Sequence, residues 1–189
     1  MQQLANLSDS ELNQRLAHEG LGLQVGPYIY KVKTNLPLVA AGISTLYKNF
    51  NLAEPEAFID YNVAILSKGL LQRLRGQSDF LFDSTNPFDS IPTGQAYAFL
   101  EWGMNWCVSL HTNEYLKLHA AAVSRGDHAI IMPGVPGAGK STLCAALGLS
   151  GWRILSDEHA MIPPNTTEVV PLCRPVSLKN ESIDVVKRF

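Results

Sequence analysis

"MPGVPGAGKSTLCAAL", residues 132–147, contains Gly134, Gly139, Lys140 and Ser141 in the order G-x-x-x-x-G-K-[ST]. That spacing is the phosphate-binding loop pattern. Phosphate needs donors that converge on a small volume. Gly137 and Gly139 can take backbone angles that turn successive N–H groups inward with no Cβ in the way. A helix starting at Lys140 would add its free N–H groups and the positive end of its dipole. The whole loop, Gly134, Val135, Pro136, Gly137, Ala138, Gly139, Lys140, Ser141 and Thr142, is therefore expected to cradle nucleotide phosphates. Lys140 would reach the β- and γ-phosphates, and the Ser141 hydroxyl would ligate Mg²⁺.

The flanks agree with such a loop. Ala129-Ile130-Ile131-Met132 leads in as an apolar strand, and an alanine- and leucine-rich helix leads out to about Leu149. The next apolar strand, Trp152 to Leu155, runs into Ser156-Asp157-Glu158, with Asp157 only 17 residues after Lys140. A right-handed crossover would lay that strand parallel to the first. Its C-terminal end, where open α/β sheets bind ligands, would then face the loop. Asp157 or Glu158 is thus expected beside the γ-phosphate. Neighbouring strand residues point opposite ways, so one carboxylate could face the metal and the other a substrate hydroxyl. Upstream, Leu116 to Val123 reads as a strand with Lys117, His119 and Ala121 on one face, and Gly126-Asp127 turns it back.

Downstream, Ala160 to Val170 suggests a hairpin around Pro163-Pro164-Asn165, and an amphipathic helix starts near Ser182. That helix reaches Phe189 with no stop signal, as expected of a chain cut short.

The first half has a different texture. Ser8-Asp9-Ser10-Glu11 has capping-box spacing before Leu12 and Leu16. Tyr28 to Val32, Phe58 to Leu66 and Asp79 to Phe82 read as strands, with a helix from about Leu38 to Phe50. Asp83 to Gly94 is a loop by composition, and an apolar stripe from Gln95 to about Leu110 marks a strong helix. The expected division is a small N-terminal α/β lobe over residues 1–94 and a nucleotide-binding core over 95–189.

Composition narrows the function classes. The 189 residues are 46% hydrophobic and 17% charged, with a net charge of −2 and no basic run. Nucleic-acid binding, which needs a clustered Lys/Arg footprint, is disfavoured. Three dispersed cysteines, Cys107, Cys144 and Cys173, fit reduced thiols rather than a disulfide framework or zinc site. The first residues lack a signal-peptide core, and no run of about 18 apolar residues occurs. A soluble cytoplasmic protein with no membrane partner is expected.

Together, "LHAAAV" (118–123), "GVPGAGKST" (134–142), "GWRILSDE" (151–158) and "RPVSLKN" (174–180) resemble the HPr kinase/phosphorylase superfamily. They are most similar to its HPr-kinase-related kinase A branch, and "LEWGMNWC" (100–107) with the preceding lobe extends the likeness over nearly the whole chain. The resemblance implies a P-loop core like that of phosphoenolpyruvate carboxykinase. It also implies an ATP- and Mg²⁺-dependent transfer to a hydroxyl, serine in the better-known enzymes. It places the base at Asp157, a supporting histidine at His119 and a second, longer carboxylate at Glu158, with Ser141, Asp157 and Glu158 as metal contacts. A ring-shaped homo-oligomer is a further implication. One departure stands out. The acid-bearing segment of the bifunctional enzymes is replaced by Arg174-Pro175-Val176-Ser177-Leu178-Lys179, whose cations Arg174 and Lys179 could instead clamp phosphate.

The expectation is therefore a kinase whose acceptor is a protein, peptide or small molecule. Two alternatives remain open: a non-catalytic nucleotide-binding module, and an NTPase that uses the same carboxylate on water.

Overall fold

The computed structural model describes residues 2–189. It is a mixed α/β protein with two sheets, dividing into one unit over Met1–Leu110 and a second over His111–Phe189.

In the first unit the capping box forms as expected. Glu11 N–H donates to Ser8 Oγ (3.3 Å) and Ser8 N–H to Glu11 Oε2 (2.9 Å), opening α1 (Asp9–Ala17). The sheet has the order β1 (Leu21–Val25), β2 (Tyr28–Thr34), β3 (Tyr61–Leu66), β4 (Gln77–Phe82) and β5 (Ile91–Pro92). Only β2 and β3 are parallel, and α2 (Pro37–Leu46) makes that crossover. A six-residue helix, α3 (Gly69–Leu74), links β3 to the antiparallel β4. Alternation sets the faces: Tyr28, Tyr30, Val32 and Thr34 of β2 are buried, as are Tyr61, Val63 and Ile65 of β3. Asp79, buried on β4, accepts from Ser90 Oγ (2.6 Å) and Gln72 Nε2 (2.9 Å), tying α3 and the following loop to the sheet.

The long helix α4 (Ala96–His111) was expected to open the second domain at residue 95. It belongs instead with the first unit, and the division falls at Leu110. The reason lies in its contacts. Met104 C=O accepts from Tyr30 Oη (3.0 Å), and Glu101 accepts from both Tyr47 Oη (3.0 Å) and Tyr97 Oη (2.7 Å). Gly103 lies so close to the Phe80 ring that any Cβ there would overlap it. This helix closes the first unit's core.

The second unit is built on β6 (Leu116–Arg125), a ten-residue strand. Gly126 (φ 59°) turns the chain into β7 (His128–Pro133), antiparallel to β6. Then follow α5 (Lys140–Leu149), β8 (Arg153–Ser156) and β9 (His159–Ile162), both antiparallel to β6 on its other side. Ala120 and Ala122 pack with Leu155 and Ala160 on one face of the sheet. Ala121 and Val123 pack with Cys144 of α5 on the other. The hairpin expected over 160–170 reduces to a single bridge, Met161 to Val170, because residues 163–169 form no ladder. The closing helix α6 (Glu181–Arg188) packs against α5. Among the described residues no helix is long and apolar enough to cross a membrane.

Candidate functional site

The loop between β7 and α5 is exposed from Pro133 to Gly139. Gly137 (φ 83°) and Gly139 (φ 88°) are both left-handed, a conformation that costs an ordinary L-residue about 1 kcal/mol or more. A Cβ built on either would meet nothing within 4 Å, so both glycines border open space. Gly139 is the N-cap of α5 and supplies no side-chain acceptor, leaving the first-turn amides without a capping side chain. Lys140 Nζ lies over the same loop, donating to the carbonyls of Gly134 (2.7 Å) and Val135 (3.4 Å). Ser141 and Thr142 stand half-buried in the first turn of the helix.

Strand order brings the acids to this loop. Because β7 and β8 are both antiparallel to β6, they are parallel to each other with β6 between them. Ala120 of β6 pairs with Pro133 on one side, and on the other its N–H donates to Glu158 C=O (3.2 Å). Two strand spacings separate the foot of the loop from Glu158, a backbone distance of about 10 Å. His119 pairs with His159 one step further on. The loop, His119, Asp157 and Glu158 therefore share one edge of one sheet.

A bulge precedes the two carboxylates. The β6–β8 register slips between Ala122 and Val123, where Ala122 faces Ser156 but Val123 faces Ile154. Asp157 and Glu158 then form the bend between β8 and β9, held by the N–H groups of Glu158 (3.3 Å) and His159 (2.9 Å) donating to Ser156 Oγ, and the charge of Asp157 acts on Cys144 of α5. Asp157 is only 5% exposed, and its Oδ2 accepts from Ser177 N–H (3.0 Å). Burial pushes its pKa above the usual carboxylate range; the Ser177 amide opposes that, Glu158 reinforces it, and the Arg174 guanidinium opposes it again. Glu158 turns outward, its Oε2 lying 3.6 Å from His119 Nδ1. The expected divergence of neighbouring carboxylates is present: one is interior, the other at the surface beside a histidine.

Arg174 and Lys179 part company. Arg174 is 7% exposed, with its field acting on Asp157 and His159. Lys179 is exposed, and its backbone brackets Ser182 at the start of α6. Two groups escaped the sequence reading. His159 is buried beside the acids, its ring 6.5 Å from that of His119, and its pKa falls to about 4 through burial and then the charge of Arg174. The Ser177 amide was the other. The only signal for His159 was its register opposite His119. Cys144 donates to Ser156 C=O (3.7 Å), and burial with the Asp157 charge raises its pKa to about 12, so it remains a thiol. Among the described residues no three His, Cys, Asp or Glu side chains gather as a metal-binding cluster.

No family model, curated protein or solved structure matches the chain.

Proposed function

We propose that the chain is an ATP- and Mg²⁺-dependent kinase that transfers the γ-phosphoryl group to a hydroxyl of a protein, peptide or small molecule. In this reading the second unit is a P-loop core of the HPr kinase type, working in the cytoplasm, where ATP and reduced thiols coexist. The observation that carries it is the placement of a buried carboxylate, Asp157, at the sheet edge where the glycine loop begins.

The loop fits a nucleotide's phosphates on chemical grounds. Two left-handed glycines border open space, an uncapped helix N-terminus offers amides, and a lysine ammonium is already at hand. Mg²⁺ would neutralise charge on the phosphoryl oxygens, with the Ser141 hydroxyl and Asp157 as the groups able to hold it, while the expected metal contact Glu158 turns outward to His119 instead. Without a third clustered side chain, the nucleotide's own oxygens must complete its shell.

The chain's own part is positioning and proton transfer. Asp157 accepts the proton of the attacking hydroxyl as its oxygen bonds to the γ-phosphorus and the bridging P–O bond to ADP breaks. Burial raises the basicity of Asp157, while the Ser177 amide holds one oxygen in place and leaves the other for the acceptor. Arg174 keeps the ionised form accessible by setting a positive charge nearby. Glu158 fixes His119 at the exposed rim, where its ring can donate to the acceptor.

A second reading, a nucleotide-binding module without transfer, is favoured by one feature: Arg174 stands in a segment where the bifunctional enzymes carry an acid. The readings separate in an Asp157→Asn variant. A kinase loses transfer by about 10²–10⁴ with nucleotide binding retained. A binding module shows no transfer in either form, and an NTPase releases phosphate at a rate no acceptor changes.

A further inference from the structure

A concavity of about 580 Å³ lies on the first unit's sheet, on the face opposite the buried tyrosines. Its floor is apolar: Ala64 and Leu66 of β3 and Leu81 of β4, with Ala64 and Leu81 directly paired. Its cations are Lys31 and Lys33, two apart on β2, and Lys68, which follows β3 in extended conformation.

We propose that this face binds an extended acidic segment of a partner protein, in which carboxylate and aliphatic side chains alternate. The site is independent of the nucleotide reading and uses none of its residues.

Charge complementarity and spacing identify the occupant. Lys31 is level with Asn62, and Lys68 lies six residues further along that strand, so the ammonium roots span on the order of 20 Å. One small anion covers a few ångströms of that run, whereas an extended chain covers all of it. Alternate residues of such a chain recur about every 6.7 Å, the separation of Lys31 from Lys33. The intervening side chains of that chain then fall on the apolar floor. Of the lining acids, Asp83 sits at the Lys31 end, where Asn62 Nδ2 already donates to it (3.2 Å), and Glu19 precedes β1 on the Lys33 side, since Leu21 pairs with Val32. Near Lys68, Asp79 has both oxygens engaged by Ser90 and Gln72. Three lysines against two lining acids leave the concavity net positive.

The surface continues in the same chemistry past Lys68. α3 buries none of its residues, and exposes Leu70 (74%), Leu71 (62%) and Leu74 (76%), the last between the basic Arg73 and Arg75. Three exposed leucines in six residues form a patch of the kind that marks an interaction site.

The test uses the full chain against an array of ten-residue peptides in which Glu or Asp alternates with aliphatic residues, beside copies with Lys in place of every acid. The expected result is binding of the acidic set only. That binding should fall tenfold or more in Lys33→Glu/Lys68→Glu and weaken steeply with salt. The double variant, at the half-buried Lys33 and the exposed Lys68, must keep its circular dichroism and melting temperature, and Lys140→Ala should bind the peptides as wild type does. Acidic peptides that bind no better than their basic copies, or equally well to the charge-reversed variant, would overturn the proposal. So would glutarate displacing the best peptide as effectively as the unlabelled peptide itself, which would mean a small-anion site. Retention on phosphatidylserine vesicles with no peptide binding would overturn it in favour of a lipid surface.

Discussion

A carboxyl group as deeply buried as that of Asp157 is held back from ionising by the loss of water, and the Ser177 amide, the Arg174 charge and its own backbone N–H offset this in part. Its folded pKa is raised, so the folded chain holds that proton to higher pH than the unfolded chain does. The group's contribution to stability is present below the unfolded carboxylate pKa and is lost as pH rises through the folded one. Asp157→Asn should therefore melt at a higher temperature than wild type at neutral pH, with the gain shrinking in acid. A variant that melts lower at pH 7 would show that the Ser177 hydrogen bond to the charged form outweighs burial. His159 has the opposite sign. Its pKa is depressed to about 4, so the folded chain refuses a proton that the unfolded chain accepts below about 6.5. Stability present above pH 6.5 should fall toward pH 4 by about 3 kcal/mol. Urea titrations of His159→Gln should show a flatter acid limb across that window, and an unchanged limb would remove His159 as the cause.

At the scale of elements, α4 packs tightly against β4. Gly103→Ala would force a Cβ into the Phe80 ring, and the overlap should cost about 1–3 kcal/mol in denaturant titrations. Ser8→Ala, which removes half of the α1 capping box, should cost about 1 kcal/mol. These two sites also show what the sequence could and could not tell. The capping box was legible because its chemistry is local, four residues hydrogen-bonding among themselves. The glycine loop, its lead-in strand and the helix after it were legible for the same reason. The allegiance of α4 was not, since its apolar stripe would suit either sheet, and only pairings such as Tyr30 with Met104 decide it. β1 hides its alternation behind Gly22 and Gln24, and α3 has no apolar face that is buried. The bulge at Ala122 and Val123 depends on a partner strand 30 or more residues away and leaves no local mark.

For the whole molecule, a kinase with the proposed docking face would use its two units for different ligands. Mg²⁺ and ATP should slow amide exchange over residues 134–142 and around Asp157, while the β2–β3 ladder of the first unit exchanges as before. At a hundred times Kd the added nucleotide should stabilise the second unit by about 2.7 kcal/mol. The most direct test of the proposed kinase is transfer from γ-labelled ATP with Mg²⁺, using cytosolic extract as acceptor and running wild type beside Asp157→Asn and Lys140→Ala, with bound nucleotide titrated in parallel. A labelled species formed by wild type and absent from both variants, with Asp157→Asn still binding ATP, is the predicted result. Label that persists undiminished in Asp157→Asn, or nucleotide binding that no lane shows, would contradict it.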